Sequence, residues 1–101
     1  MPYRSMMTLR PSAAPLAARE GRTAHIPRYK VLLHNDDINT MDHVVTALMR
    51  VFRFDRHVCE RIMAEAHKNG LALCTIEPFE QAELHRDQLK AFSLTATIEP
   101  E

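Results

Sequence analysis

The sequence predicts an α+β domain: a small α/β sandwich in the order β-α-α-β-α-β, with three helices on one face of a three-stranded antiparallel sheet. Three observations carry that prediction. Two successive stretches repeat apolar residues at helical spacing, each behind an N-capping side chain. Three short aliphatic or alternating runs read as strands, and a third helical stretch separates the last two. The chain of 101 residues is short enough for one core and no more.

The opening stretch, "MPYRSMMTLRPSAAPLAAREGRTAHIP", is different in kind. It carries Pro2, Pro11, Pro15 and Pro27, four arginines (Arg4, Arg10, Arg19, Arg22), and no acidic residue before Glu20. Its composition has the flavour of a transit peptide, yet a secretory apolar region is missing. Without apolar periodicity it reads as a disordered extension over residues 1–27, retained in the mature protein, ahead of a folded domain over residues 28–101.

"YKVLL" (Tyr29 to Leu33) is the first strand. From Met41, apolar residues fall at Val44, Val45, Leu48, Met49 and Phe52, the i, i+3, i+4 pattern of an amphipathic helix, with Thr40 as its N-cap. Asp55 caps a second helix whose apolar stripe is Val58, Cys59, Ile62, Met63 and Ala66. That helix ends at "KNG", where Gly70 suits the left-handed residue after a last turn. "LALCTI" (Leu71 to Ile76) is a second strand. In "PFEQAELHRDQLKAF" a third helix places Pro78 in its first turn and turns Phe79, Ala82, Leu89 and Phe92 inward. "SLTATIE" alternates Leu94, Ala96 and Ile98 with threonines and reads as the last strand.

Charge and cysteine usage exclude several classes. Thirteen basic and 13 acidic residues balance to a net charge of zero, unlike the basic footprint of a nucleic-acid binder. No apolar run approaches the ~20 residues that span a bilayer as a helix. Cys59 and Cys74 form no CxxC pair, lie within apolar segments, and read as buried reduced thiols of a cytosol-like compartment.

The informative junction is the end of the first strand, where the apolar run stops in His34, Asn35, Asp36 and Asp37. Asn and Asp are ordinary at turns and helix starts, where their oxygens satisfy backbone N–H groups. A histidine near a helix C-terminus, as His67 is, ordinarily serves that helix's last carbonyls and dipole. Taken together, however, these residues form a set of acceptors, and Met41, Val44, Met63 and Ala66 supply an apolar wall beside it. Such a site suits a ligand that is cationic at one end and apolar at the other. A free peptide N-terminus with a bulky first side chain fits, its three N–H bonds matching three acceptors. A metal is the competing chemistry, since His34, Asp36, Asp37, His43 and His67 are all possible ligands, although their spacing matches no zinc motif. A hydrolase would need a nucleophile, yet no serine or cysteine stands near Asn35 in sequence, and Cys59 lies on an apolar stripe.

"YKVLLHNDD", a methionine opening a helix with "VV", and "AHKNG" closing the next helix together resemble the ClpS family, the N-degron adaptors of Clp proteases. The resemblance covers Tyr29 to Glu99, and "NDDINTMDHVV" and "EQAELHRDQL" are closer to the cyanobacterial and plastid members than to the proteobacterial ones. It implies a non-enzymatic adaptor, with no cofactor and no metal. The implied role is to bind substrates with an N-terminal Phe, Tyr, Trp or Leu and deliver them to a Clp AAA+ unfoldase. The α-amino group is then held by Asn35, Asp36 and His67, and the first side chain by Leu33, Asn39, Met41, Val44, Met63, Ala66 and Leu94. Met41 matches the family's gate against β-branched side chains. The implied partner is the N-terminal domain of a ClpC- or ClpA-type unfoldase, docking on Glu80 and on His85, which stands where a lysine is usual. Neither nucleic acid nor membrane is implied, and the location is the bacterial cytosol rather than a plastid stroma. The family's "T-P-M" reads Asn39-Thr40-Met41 here, Ala66 replaces a valine, and Ile38 replaces an aromatic. The alternative is a modulator that contacts the unfoldase without selecting N-termini.

Overall fold

The computed structural model describes residues 26–101, so the extension expected over residues 1–27 lies outside the described residues but for its last two. The chain runs β1 (Arg28–His34), α1 (Met41–Phe52), α2 (Arg56–Asn69), β2 (Leu71–Pro78), α3 (Phe79–Ala91) and β3 (Thr95–Pro100). This is the β-α-α-β-α-β order that the periodicities require. Strand β1 is central, in the sheet order β2-β1-β3, and is antiparallel to both neighbours. Helices α2 and α3 lie against the strands, and α1 packs on those two helices.

The strand alternation fixes which side is covered. Val31 and Leu33 of β1, Ala72 and Cys74 of β2, and Ala96 of β3 join the core. Leu48 of α1, Cys59 of α2 and Leu89 of α3 are fully buried against them. Both expected N-caps form: Thr40 Oγ1 accepts from the His43 N–H at 3.1 Å, and an Asp55 carboxylate oxygen accepts from the Val58 N–H at 2.9 Å. Each satisfies an N–H that the helix itself leaves unpaired.

Four details depart from the sequence expectation. Strand β2 runs on to Pro78, and that proline stands at the N-cap of α3 rather than inside its first turn. A β-bulge makes the extra length possible: Val31 faces Thr75 while Leu32 faces Leu73, so Cys74 is the additional residue. Phe79 is not turned inward but is 43% exposed, with its ring edge-on to Tyr29 at 5.0 Å. The inward stripe of α3 is instead carried by Ala82 and Leu89. Strand β3 starts at Thr95 rather than Ser93, because Ser93 takes φ 68°, a left-handed conformation no strand accommodates.

Both cysteines are free and buried. Burial, reinforced by the neighbouring Cys59, pushes the Cys74 thiol up to about 12. Burial and the charge of Asp55 also raise Cys59, against a smaller opposing effect of Arg56. Thiols held in the protonated form are poor nucleophiles and poor metal ligands.

The register brings three chain segments to one end of the sheet. His34, the last residue of β1, pairs with both Leu71 and Thr95, the first residues of β2 and β3. At the β2 corner Gly70 turns the chain with φ 92° while its N–H donates to the Ala66 carbonyl at 2.8 Å. A Cβ there would meet nothing within 4 Å, so backbone conformation alone demands glycine. Gly70→Ala is therefore expected to destabilise the protein by about 1–2 kcal/mol. Urea denaturation should show a lower midpoint at an unchanged slope; an unchanged midpoint would contradict the role assigned to this corner.

Candidate functional site

The site is assembled by a single backbone contact. The Asn35 N–H donates to the Gly70 carbonyl at 2.9 Å and so draws the residue after β1 to the C-terminus of α2. His67 lies one turn back from Gly70 and is thereby placed beside the polar end of β1. From Asn35 the chain must reach Thr40, the N-cap of α1, and Asp36 shapes that loop. One Asp36 carboxylate oxygen accepts from the Ile38 N–H at 3.1 Å, the Asn39 N–H at 3.0 Å and Asn39 Nδ2 at 3.1 Å. The other oxygen accepts from Asn39 Nδ2 at 3.1 Å. The Asn39 backbone N–H, helped by the Asn39 side chain, the Ile38 N–H and the charge of His43, holds the Asp36 carboxyl below the usual carboxylate range, against the opposing effect of partial burial.

A cavity of about 180 Å³ opens here. That exceeds the ~150 Å³ of an apolar cavity able to take up benzene, so one aromatic ring fits. Its apolar lining is Leu33, Met41, Val44, Met63, Ala66 and Leu94, of which Leu33, Ala66 and Leu94 are buried core residues. Its rim is polar, formed by His34, Asn35, Asp36, Asp37, Asn39 and His67. No lysine or arginine is among the lining residues, so neither side chain offsets the two carboxylates of the rim. Met41 stands 58% exposed at the first turn of α1, at the entrance rather than in the core that helical periodicity alone suggests.

All ten residues expected to bind an α-amino group or a first side chain border this one cavity. His34 and Asp37, named in the same polar run though not among those ten, border it as well. The rival metal set does not assemble: among the described residues no three of the histidine, cysteine, aspartate and glutamate side chains converge on a point. His43 Nε2 is occupied with the Phe92 carbonyl at 2.7 Å, and His34 Nε2 with Thr97 Oγ1 at 2.7 Å.

The second expected pair lies on α3. Glu80 is exposed in the first turn. His85 does not stand beside it on the open surface. Its Nδ1–H donates to the Glu77 carboxylate at 2.6 Å, its side chain is only 17% exposed, and its ring meets Phe52 edge-on at 4.9 Å. A lysine there would extend to solvent, whereas the shorter imidazole is captured by the carboxylate at the end of β2. Two exposed apolar side chains flank Glu80, Phe79 beside it and Leu84 one turn on, with the exposed amide of Gln81 next to them.

Because Asp36 is acidified by bonds present only in the folded chain, its charge stabilises that state above the ordinary carboxylate range, and the contribution is lost as pH falls through its lowered value. Asp36→Asn, which keeps the shape and removes the charge, should lower stability at neutral pH, with the difference from wild type shrinking below about pH 4. Urea midpoints measured from pH 7 to pH 2.5 check this. A difference that stays constant over the range would mean that the carboxylate charge is not what closes the loop.

A family model described as ATP-dependent Clp protease adaptor protein ClpS matches residues 24–97. The ATP-dependent Clp protease adapter protein ClpS of Synechococcus elongatus is 48% identical over 79 residues, 74% of this chain and 80% of that one. A chloroplastic Clp protease adapter protein of Chlamydomonas reinhardtii is 42% identical over 78 residues, 73% of this chain and 46% of its own length. Among solved structures, Agrobacterium tumefaciens ClpS2 bound to L-phenylalaninamide superposes with a TM-score of 0.71 at 31% identity, covering 76% of this chain and all of that one.

Proposed function

The chain belongs to the ClpS family of Clp protease adaptor proteins, and we propose that it is a non-enzymatic N-degron adaptor. In this reading it binds proteins that expose an N-terminal Phe, Tyr, Trp or Leu and delivers them to a Clp AAA+ unfoldase of the ClpC or ClpA type. The observation that carries the reading is the shape of the site: a cavity of one ring's size whose rim presents two carboxylates, an amide and an imidazole. L-phenylalaninamide, the ligand of the similar ClpS2, has the same two ends, a free amine and a benzyl group.

The Asn35 side-chain carbonyl and neutral His67 accept N–H bonds from the α-ammonium, and Asp36 supplies fixed negative charge directly or through a water. The side chain enters between Met41 and Met63 and reaches Ala66 and Leu94. Burying a Phe or Leu side chain there contributes about 1.5–3 kcal/mol. A side chain branched at Cβ puts its bulk at the level of Met41, which disfavours Ile and Val. The unfoldase docks on α3 at Glu80 with Phe79 and Leu84, while His85 braces that helix from beneath through Glu77. With cyanobacterial and chloroplastic relatives, the proposed setting is a bacterial cytosol.

Fluorescence anisotropy with peptides that differ only in their first residue tests the reading. Free N-terminal Phe, Tyr, Trp and Leu should bind saturably, and N-terminal Ala about 10- to 100-fold more weakly. N-acetylated Phe and the Asn35→Ala variant should show no saturable binding. Binding of the unfoldase without any preference among these peptides would favour the modulator instead. The pH profile is a separate check. Affinity should fall on the alkaline side as the α-amino group, at ~7.7–8.0, loses its proton. The imidazole is tested by His67→Ala, which should weaken binding of every free N-terminus by about ten-fold. Unchanged binding in His67→Ala would remove this histidine from the site.

A further inference from the structure

Asn39 stands where the family commonly has a threonine, and its amide is unusually occupied. Nδ2 lies 3.1 Å from each Asp36 carboxylate oxygen and 2.8 Å from the Ser93 carbonyl. All three neighbours accept only, which fixes the nitrogen, not the oxygen, at this point. One N–H is shared by the carboxylate and the other goes to the carbonyl. Asp36 belongs to the polar rim, whereas Ser93 precedes Leu94, which belongs to the apolar lining of the cavity.

The link that Asn39 grips is short and under conformational tension. Only Phe92, Ser93 and Leu94 join α3 to β3, and Ser93 holds φ 68° without being glycine. Further bonds pin this link: His43 Nε2–H to the Phe92 carbonyl at 2.7 Å, the Ser93 N–H to the Lys90 carbonyl at 2.9 Å, the Leu94 N–H to the Leu89 carbonyl at 3.1 Å, and the Phe92 N–H to the last carbonyls of α3. Leu94 is consequently 4% exposed and its position is set from the α1 side by Asn39 and His43. A threonine has one hydroxyl hydrogen and reaches one acceptor at a time, so it makes no such bridge.

Building on the adaptor reading above, we infer that Asn39 is a positioning and specificity-determining residue. Its amide ties the carboxylate at the ammonium end of the cavity to the turn that sets the wall at the side-chain end. The two ends are thereby coupled, and the choice among bulky first residues depends on a side chain that needs no contact with them.

Two measurements on the full chain test this. In the ligand-free protein, NMR titration of the Asp36 carboxyl should move toward the ordinary carboxylate value in Asn39→Ala, and part of the way in Asn39→Thr, which retains one donor. With labelled peptides starting in Phe or Leu, Asn39→Ala should weaken binding by about ten-fold or more and change the Phe-to-Leu ratio by about three-fold or more. In an Asp36→Asn background the same substitution should cost distinctly less, because the bonded charge is already gone. Thermal melts confirm that each variant is folded, and Asn39→Thr, expected to be intermediate throughout, keeps the test open if Asn39→Ala fails to fold. A wild type that binds with Asn39→Ala unchanged, or with equal losses in both backgrounds and an unaltered ratio, overturns this inference alone. A wild type that binds no peptide overturns the adaptor reading, and the specificity role with it, while the Asp36 titration still decides whether the amide holds the carboxylate.

Discussion

The bond from the Asn35 N–H to the Gly70 carbonyl is the join on which the site depends. It extends the β1–β2 pairing one residue past the strand and fastens it to the end of α2. Without it the polar run after β1 is a surface turn, and His67 is a histidine at a helix terminus. With it, a carbonyl-bearing side chain, carboxylates and an imidazole face one opening. Gly70 makes the join geometrically possible, since α2 must stop and reverse into β2 within one residue. The antiparallel register does the rest, bringing the starts of β2 and β3 to the end of β1 so that Leu94 closes the same opening.

The rim and the depth of the cavity then make different demands on a ligand. Two carboxylates without a nearby lysine or arginine attract positive charge, and Asp36 keeps its charge because its own loop donates three N–H groups to it. The depth offers carbon and sulfur only. An inorganic cation leaves that depth unused, and a neutral apolar molecule leaves the rim unsatisfied. A protein N-terminus with a large first side chain uses both. Acetylating such an N-terminus would remove its positive charge and leave one N–H of three.

Much of this was legible in the residues. Thr40, Asp55 and Gly70 mark helix ends by chemistry that acts within three or four residues, and the apolar stripes of α1 and α2 follow from period alone. Asn35, Asp36 and His67 as acceptors beside an apolar wall of Met41, Val44, Met63 and Ala66 could be read from the residues themselves, whereas Leu33, Asn39 and Leu94 came only with the resemblance to a known family. The remaining features depend on partners distant in sequence. The bulge at Cys74 arises from matching β2 against β1, not from any signal within "LALCTIEP". Phe79 faces out because Tyr29, 50 positions earlier, offers its ring beyond the core edge. His85 is drawn in by Glu77 across the β2–α3 corner, and Asn39 reaches Ser93 across more than half of the folded chain. Local rules cannot see such pairs.

The central claim is that one cavity reads a free amine and a bulky side chain together. Isothermal titration of the protein with L-phenylalaninamide and with 3-phenylpropanamide, which differs only in lacking the amine, tests it most directly, with NMR following Asn35 and His67. A single saturable site for the first compound, shifts at both residues, and no measurable binding of the second are expected. Equal binding of the two, or binding of the amine without a response at Asn35 and His67, would contradict the assignment of these residues to the α-amino group.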